Sequence, residues 1–313
     1  MKRILITGGA GFIGSHLADR LALDPSYHLI VLDNLRRGRL ANLEPTTDRV
    51  EFIQGDICDR SVVERAVRGV DLVYHLAAQS NVLGAVTDIE YSFRANVVGT
   101  FEVLRAASAA GVKRLVFSSS REVYGEPQTL PVPESAPISP KNAYGASKAA
   151  GEMYCRAFSS PAFTPIILRL ANVYGTRDFD RVIPIFVNQA LRGSPLTLYG
   201  GKQILDFVWI DTVVESLVRA GWVEVPRGPM NIGSGKPTDL ITLAKRVLLT
   251  ANSRSDLRIA PAREVEVSRF VADTSFMRHA FGIETTEDPL DQLATVIESR
   301  KRDHSTKPVG VQL

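Results

Sequence analysis

The chain is poor in cysteine, with two in 313 residues, Cys58 and Cys155. Two cannot form a disulfide framework, and neither lies in a Cys-x-x-Cys or Cys/His cluster with metal-ligand spacing, so the reading is a reduced cytoplasmic protein without structural metal. Long apolar runs are also missing. No stretch approaches the ~20 residues that a membrane-spanning helix needs, which argues against membrane insertion. The start, Met1-Lys2-Arg3-Ile4-Leu5-Ile6-Thr7-Gly8, has basic residues before an apolar run as a signal peptide does, but it breaks at glycines without a cleavage site and reads as a first strand. Charge of one sign is scarce: the formal net charge is +3, and no basic run is interleaved with aromatics as a nucleic-acid groove requires. The one basic cluster, Arg36-Arg37-Gly38-Arg39, is read as a loop with a local role beside a phosphate.

What is present is a repeated alternation. Short β-branched runs at Arg3 to Thr7, Leu29 to Asp33, Val50 to Ile53, Leu72 to Ala78, Arg114 to Ser120 and Pro165 to Leu170 are separated by amphipathic stretches. Strands apolar on both faces that alternate with helix-period segments predict an α/β fold, a Rossmann-type doubly wound parallel sheet. The proline-rich stretch from Glu126 to Asn142 excludes a regular element and predicts a loop. Past residue 175 the elements shorten and Gly-Pro punctuation increases. This predicts a main domain over 1–175, a smaller and partly interleaved C-terminal lobe over 176–300, and a frayed polar tail from about Glu298, with 301–313 flexible.

The first strand runs into "TGGAGFIGSHLADRL", where Gly8, Gly11 and Gly14 are spaced by threes and Leu17 and Leu21 continue a helical face. Glycines there admit a pyrophosphate to the backbone, and the helix N-terminus favours its charge. A glycine turn alone is weak evidence; this one follows a strand, opens a helix and precedes Asp33 at the second strand's tip. A carboxylate at that tip accepts ribose hydroxyls and repels a 2′-phosphate, so NAD is favoured over NADP, with Arg36 and Arg37 the residues that would favour the reverse. "GDI" at 55–57 and "HLAAQS" at 75–80 end strands facing the same crevice, and His75 is read as a packed core histidine.

After the proline loop, "NAYGASKAAGEMY" places Tyr144 and Lys148 four apart on one face of a helix beginning at about Ala143. Together, "TGGAGFIG", "LDNL", "GDI", "HLAA", "SSSREVYG", "YGASK" and "RLANVYG" resemble the extended short-chain dehydrogenase/reductase family. The likeness is to its NAD-dependent nucleotide-sugar epimerase/dehydratase branch, of the UDP-glucose and UDP-glucuronate 4-epimerase kind. The resemblance implies a catalytic Ser120, Tyr144 and Lys148, with Tyr144 as proton acceptor. The Lys148 ammonium and the cationic nicotinamide ring would favour the phenolate. It also implies that NAD is held by Gly8, Gly11, Phe12, Ile13, Gly14, Asp33, Asn34, Arg37, Gly38, Asp56, Ile57, Leu76, Ala77 and Ala78, together with Tyr144 and Lys148. For a nucleotide-diphosphosugar it implies Ser80, Ser120, Arg121, Asn172, Arg181, Thr197, Tyr199, Gln203 and Arg263, and a homodimer through helices around 95–110 and 144–158.

Two departures from the family pattern carry information. Dehydratases of the branch show Asp-Glu before "VYG" and decarboxylases keep the Glu, whereas simple epimerases have small residues there; this chain has Arg121 and Glu122. A guanidinium matches a carboxylate in a bidentate way, so the expectation is a 4-epimerase acting on a UDP-hexose or UDP-hexuronate, UDP-glucuronate favoured. The alternatives are a UDP-glucuronate decarboxylase or 4,6-dehydratase, both using Glu122, and, from another class, a non-catalytic NAD-binding regulator. Arg121 is equally compatible with pairing to Glu122 or Glu134. The second departure is Leu205, where the family usually carries a diphosphate-binding arginine; Arg177, Arg181 or Lys202 would have to compensate.

Overall fold

The computed structural model of the protein describes residues 1–224 and 228–305. Twelve strands appear among them: β1 (Lys2–Thr7), β2 (Tyr27–Asp33), β3 (Val50–Gln54), β4 (Leu72–His75), β5 (Arg114–Ser120), β6 (Thr164–Leu170), β7 (Asn172–Tyr174), β8 (Leu196–Tyr199), β9 (Ile204–Trp209), β10 (Pro229–Ile232), β11 (Pro237–Asp239) and β12 (Leu257–Ala260). The helices are α1 (Phe12–Ala22), α2 (Arg60–Ala66), α3 (Val82–Thr87), α4 (Ile89–Phe93), α5 (Gly99–Ala109), α6 (Ala143–Phe158), α7 (Val182–Leu191), α8 (Ile210–Trp222), α9 (Leu240–Ala251), α10 (Ser275–Phe281) and α11 (Leu293–Ser305).

Side-chain alternation along the strands builds two cores. Ile4, Ile6, Leu29, Val31, Val116 and Leu168 face one side with Leu17 and Leu21 of α1 and Val213 and Leu217 of α8. Their neighbours Leu5, Ile30, Leu32, Leu115, Phe117 and Ile167 face the other, against Val63 of α2, Val103 and Leu104 of α5 and Cys155 of α6. Burial on both faces is what a parallel sheet demands of its strands. Seven strands pair in the order β10-β6-β5-β4-β1-β2-β3, all parallel. The sheet is the expected Rossmann-type doubly wound one. Its order reverses at β1, so a crevice opens beyond the C-terminal ends of β1 and β4.

The chain after β6 forms a three-stranded β11-β9-β7 sheet and a β12-β8 pair, and returns β10 to the edge of the main sheet. Its core comprises Ile183, Phe186, Leu243, Val247, Val296 and Ile297. Buried Asp206 ties its loops together by accepting Ser234 N at 2.7 Å and Gly235 N and Ala272 N at 3.0 Å each.

Two local expectations change. The fourth strand stops at His75 instead of Ala78, because the following amides leave the ladder: Ala77 N bonds Thr7 Oγ1 at 3.3 Å and Gln79 N bonds Asn96 Oδ1 at 2.7 Å. The stretch from Glu298 is helical as far as Ser305, with Val296 and Ile297 buried just before it and Arg300 donating to the Asp178 carbonyl. Residues 306–313 of the expected tail lie outside the described residues. Among the described residues no helix is long and apolar enough to cross a membrane.

Candidate active site

A cleft of about 620 Å³ runs from the glycine turn to β8 and is lined by every residue expected to bind cofactor or substrate or to act in catalysis. That volume is within the usual range for a small-molecule site.

At the cofactor end, the turn between β1 and α1 depends on glycine. Gly8 has φ +72, and a Cβ there would come within 2.6 Å of Ala77 N. Asp33 is buried at the end of β2; its carboxylate accepts Ala10 N at 3.0 Å and Leu35 N at 2.8 Å. Burial pushes that carboxyl above the usual range, against the pull of the two amides. A Cβ at Gly38 would meet the Asp33 carboxylate at 2.7 Å, so glycine leaves that carboxylate open to the cleft. Arg36 lies 3.6 Å over the Tyr91 ring and 3.6 Å from Asp88, which engages the guanidinium otherwise available to a 2′-phosphate. These residues fit a dinucleotide with free ribose hydroxyls.

At the reacting centre, the three serines that end β5 do three different things. Ser118 Oγ donates to the His75 carbonyl at 3.4 Å, Ser119 Oγ donates to buried Glu152 at 2.5 Å, and Ser120 Oγ accepts Glu122 N at 3.2 Å. Tyr144 and Lys148 project from the first turns of α6 into the same cleft. Burial pushes the Tyr144 phenol up, and the strongest group opposing it is the Arg181 guanidinium, followed by the Ser120 hydroxyl. Among the chain's own groups, Arg181 thus adds to the Lys148 ammonium and nicotinamide ring expected to favour the phenolate. Lys148 Nζ donates to the Ser118 carbonyl at 2.7 Å, and burial lowers its pKa to about 8. His75 is fully buried between Thr7 Oγ1 (2.7 Å) and Thr100 Oγ1 (2.9 Å), a core position as expected.

The residues beside this centre form a clamp. Arg121 Nη2 is 2.9 Å from Glu122 Oε1, and Asn142 Nδ2 donates to Glu122 Oε2 at 2.7 Å. Glu134 instead accepts Asn231 N at 3.0 Å, so Arg121 pairs with Glu122. The second terminal nitrogen, Arg121 Nη1, is buried without a hydrogen-bond partner among the described residues.

At the far end, Thr197 and Tyr199 of β8 stand by Gln203, whose Nε2 donates to the Tyr199 carbonyl. The Arg263 guanidinium lies 3.5 Å over the Tyr199 ring and 3.1 Å from Glu266. Asn172 Nδ2 donates to the Asp206 carbonyl at 3.1 Å. Leu205 contributes an apolar surface continuous with the lobe core. Of the three cations that might replace an arginine there, Arg177 pairs with Asp19 at 2.7 Å and Lys202 is not part of the cleft wall. Arg181 does face the cleft, steadied by Asp178 at 2.9 Å.

Residues 4–233 match the NAD dependent epimerase/dehydratase family. The chain belongs to that family. It is 37% identical over 279 residues to a putative UDP-glucose 4-epimerase of Methanocaldococcus jannaschii, covering 86% of this chain and 89% of the relative. It is also 37% identical over 257 residues to the dTDP-D-glucose 4,6-dehydratase of Mus musculus, covering 79% and 72%. Among solved structures, the UDP-glucose 4-epimerase of Thermotoga maritima with UDP-glucose superposes with a TM-score of 0.91 at 31% identity, over 96% of this chain and 99% of that one. Membership of this NAD-dependent family makes the chain an enzyme that uses NAD on nucleotide sugars.

Two contributors to the site went unread in the sequence. Asn142 caps α6 by accepting Gly145 N at 2.8 Å while it holds Glu122. Its signal was present, an N-cap residue directly before the Tyr-x-x-x-Lys helix. Asn96, in a π-helical turn (Arg94–Val98), bridges Gln79 and Ser147, donating to Gln79 O and Ser147 Oγ at 2.9 Å each. Such turns often mark functional sites, but no local pattern announces one.

Proposed function

We propose that this enzyme is a nucleotide-diphosphosugar 4-epimerase, inverting C4 of a UDP-sugar by transient oxidation. The observation that carries this reading is the clamp on Glu122. A dehydratase or decarboxylase reading uses this carboxylate as base or acid, yet both oxygens are occupied by Arg121 and Asn142. Its neighbour Arg121 stands where dehydratases have an acid, and a guanidinium does not release a proton near neutral pH.

NAD, when bound, supplies reversible hydride acceptance. The chain's residues supply the rest. Tyr144 takes the proton of the C4 hydroxyl, Ser120 hydrogen-bonds the same oxygen, and Lys148 holds the nicotinamide ribose, with Arg181 keeping the phenol within reach of ionisation. Asp33, Asn34 and the glycine turn hold the cofactor; Asn172, Arg181, Thr197, Tyr199, Gln203 and Arg263 hold the nucleotide and diphosphate.

For the sugar, we infer a UDP-hexuronate in preference to a UDP-hexose. The support is Arg121 Nη1, a buried and unmatched donor in the cleft wall. A C6 carboxylate that takes this donor is also held against decarboxylation. Homodimerisation through α5 and α6 belongs to the same reading, supported by exposed Met153 and Tyr154 on α6.

The test is incubation with NAD and a panel of UDP- and dTDP-sugars, followed by NMR. Inversion at C4 supports the proposal; a 6-deoxy-4-keto sugar or a pentose with CO2 overturns it. For the sugar, Arg121→Ala should lower kcat/KM on UDP-glucuronate at least tenfold more than on UDP-glucose. Equal effects on both sugars would remove the hexuronate preference.

A further inference from the structure

The segment joining β7 to α7 contributes Asp178 to Arg181 to the cleft wall and is fastened on both sides. On the α1 side, Thr176 Oγ1 is 3.1 Å from His16 Nε2, and Arg177 pairs with Asp19. On the opposite side the partners come from two separate loops. Phe179 lies 4.3 Å beneath the Arg39 guanidinium, while Asp180 is ion-paired with Arg37 and accepts Asn81 Nδ2 at 3.2 Å. Arg37 and Arg39 follow β2; Asn81 follows β4. Asp180 therefore joins three walls of one cleft: the loop after β2, the loop after β4 and the crossing segment itself.

Asp178 anchors the crossing from within. It is buried, holds Arg181 at 2.9 Å, and its carbonyl accepts Arg300 of α11. The anchor is thus part of the lobe, whereas the free edge of the segment is closed by side chains only. Gly8, Gly11 and Asp33 line the same cleft as Phe179 and Asp180, so a dinucleotide held at the glycine turn shares that cleft with the crossing segment.

We propose that Asp180 is a positioning residue for the cofactor. By holding Arg37 and Asn81 across the cleft it latches the segment beside bound NAD and slows the dinucleotide's exit. The inference rests on NAD dependence, not on the epimerase assignment, and holds equally for a dehydratase. A half-exposed ion pair is weakened by salt, so exit of the dinucleotide should be salt-sensitive.

The experiment uses the full chain loaded with radiolabelled NAD and chased with excess unlabelled NAD, at low salt and at half-molar salt. Asp180→Asn and Phe179→Leu should each release NAD at least tenfold faster than the parent at low salt, and the parent's own release should quicken with salt. The Asp180→Asn variant should lose that salt dependence and keep kcat within about twofold at saturating NAD. The double variant Arg37→Gln, Asp180→Asn should release NAD no faster than Arg37→Gln alone, because both changes open one latch. Unchanged release in Asp180→Asn, or additive effects in the double variant, would overturn the proposal. Melting temperature measured without NAD separates this from a folding defect. A drop in that temperature large enough to account for the faster release would likewise overturn it.

Discussion

Arg121 and Glu122, adjacent in one turn, are ion-paired at 2.9 Å, and Asn142 takes the other carboxylate oxygen at 2.7 Å. To take up a carbon-bound proton this carboxylate would have to give up or share one of those two contacts. Its place is to hold Arg121.

That assignment is tested by Glu122→Gln, which keeps an oxygen for one neighbour but loses the charge. Epimerisation should survive within about threefold, whereas loss of a true general base costs ~10²–10⁴-fold. Steady-state kinetics on UDP-glucuronate distinguish the two, and a loss beyond a hundredfold with the fold intact would restore Glu122 as a base.

Arg181 and Tyr144 make a second prediction. Arg181 is the strongest influence opposing the burial that raises the phenol. Under the proposed mechanism Tyr144 acts as the phenolate, so kcat/KM should rise with pH through its ionisation; without the nearby cation the phenol moves further up. Arg181→Met should therefore shift the rising limb of the pH profile to higher pH, beyond any change in KM. Tyr144→Phe should reduce turnover by ~10³-fold while NAD binding, followed by fluorescence quenching, stays intact.

His75 sets part of the acid stability. Burial, with a smaller contribution from the Lys148 charge, lowers its pKa to about 3. The unfolded chain then binds a proton near pH 6.5 that the folded state refuses, so stability is full above that pH and is lost as pH falls toward 3. Between pH 7 and pH 5 this group alone should cost about 2 kcal/mol, at ~1.4 kcal/mol per unit of pH. Urea unfolding at the two pH values should show a smaller pH difference in His75→Asn than in the parent.

The parts of this molecule that were legible in the sequence are those fixed by local spacing. The glycine triplet, Asp33 at a strand tip and the Tyr144/Lys148 interval each need only a strand followed by a turn or helix, and all converge on one cleft because parallel strands end on one side. What stayed hidden depends on distant partners. The end of β4 is set by Asn96 and Thr7, and the crossing segment is closed by Arg37, Arg39 and Asn81, more than a hundred residues away in some cases. The part of α11 from Glu298 read as a polar tail because its residues are mostly charged, while the apolar residues that anchor the helix, Val296 and Ile297, lie just before it. The influence of Arg181 on Tyr144 was hidden for the same reason, since it crosses from the residue before α7 to α6.

The last prediction concerns what holds together the strand that ends in Ser120 and the helix that carries Tyr144 and Lys148. Glu152, one turn after Lys148, is fully buried with Arg169 of β6; their side chains meet at 2.7 Å and 2.9 Å. Ser119 of β5 donates to the same carboxylate, and Arg169 also donates to the Glu134 carbonyl at 3.1 Å. A pair so enclosed contributes little net stability over an apolar one, but removing one member strands the other charge in the core. Glu152→Ala should therefore cost ~3–5 kcal/mol in urea unfolding, while the double variant Glu152→Leu, Arg169→Met should cost clearly less than the sum of its single changes. If the pair also sets the strand that carries Ser120, the surviving double variant should lose kcat at unchanged NAD affinity. Additive stability losses would show instead that the two charges are independently accommodated and that β5 is held by its apolar neighbours alone.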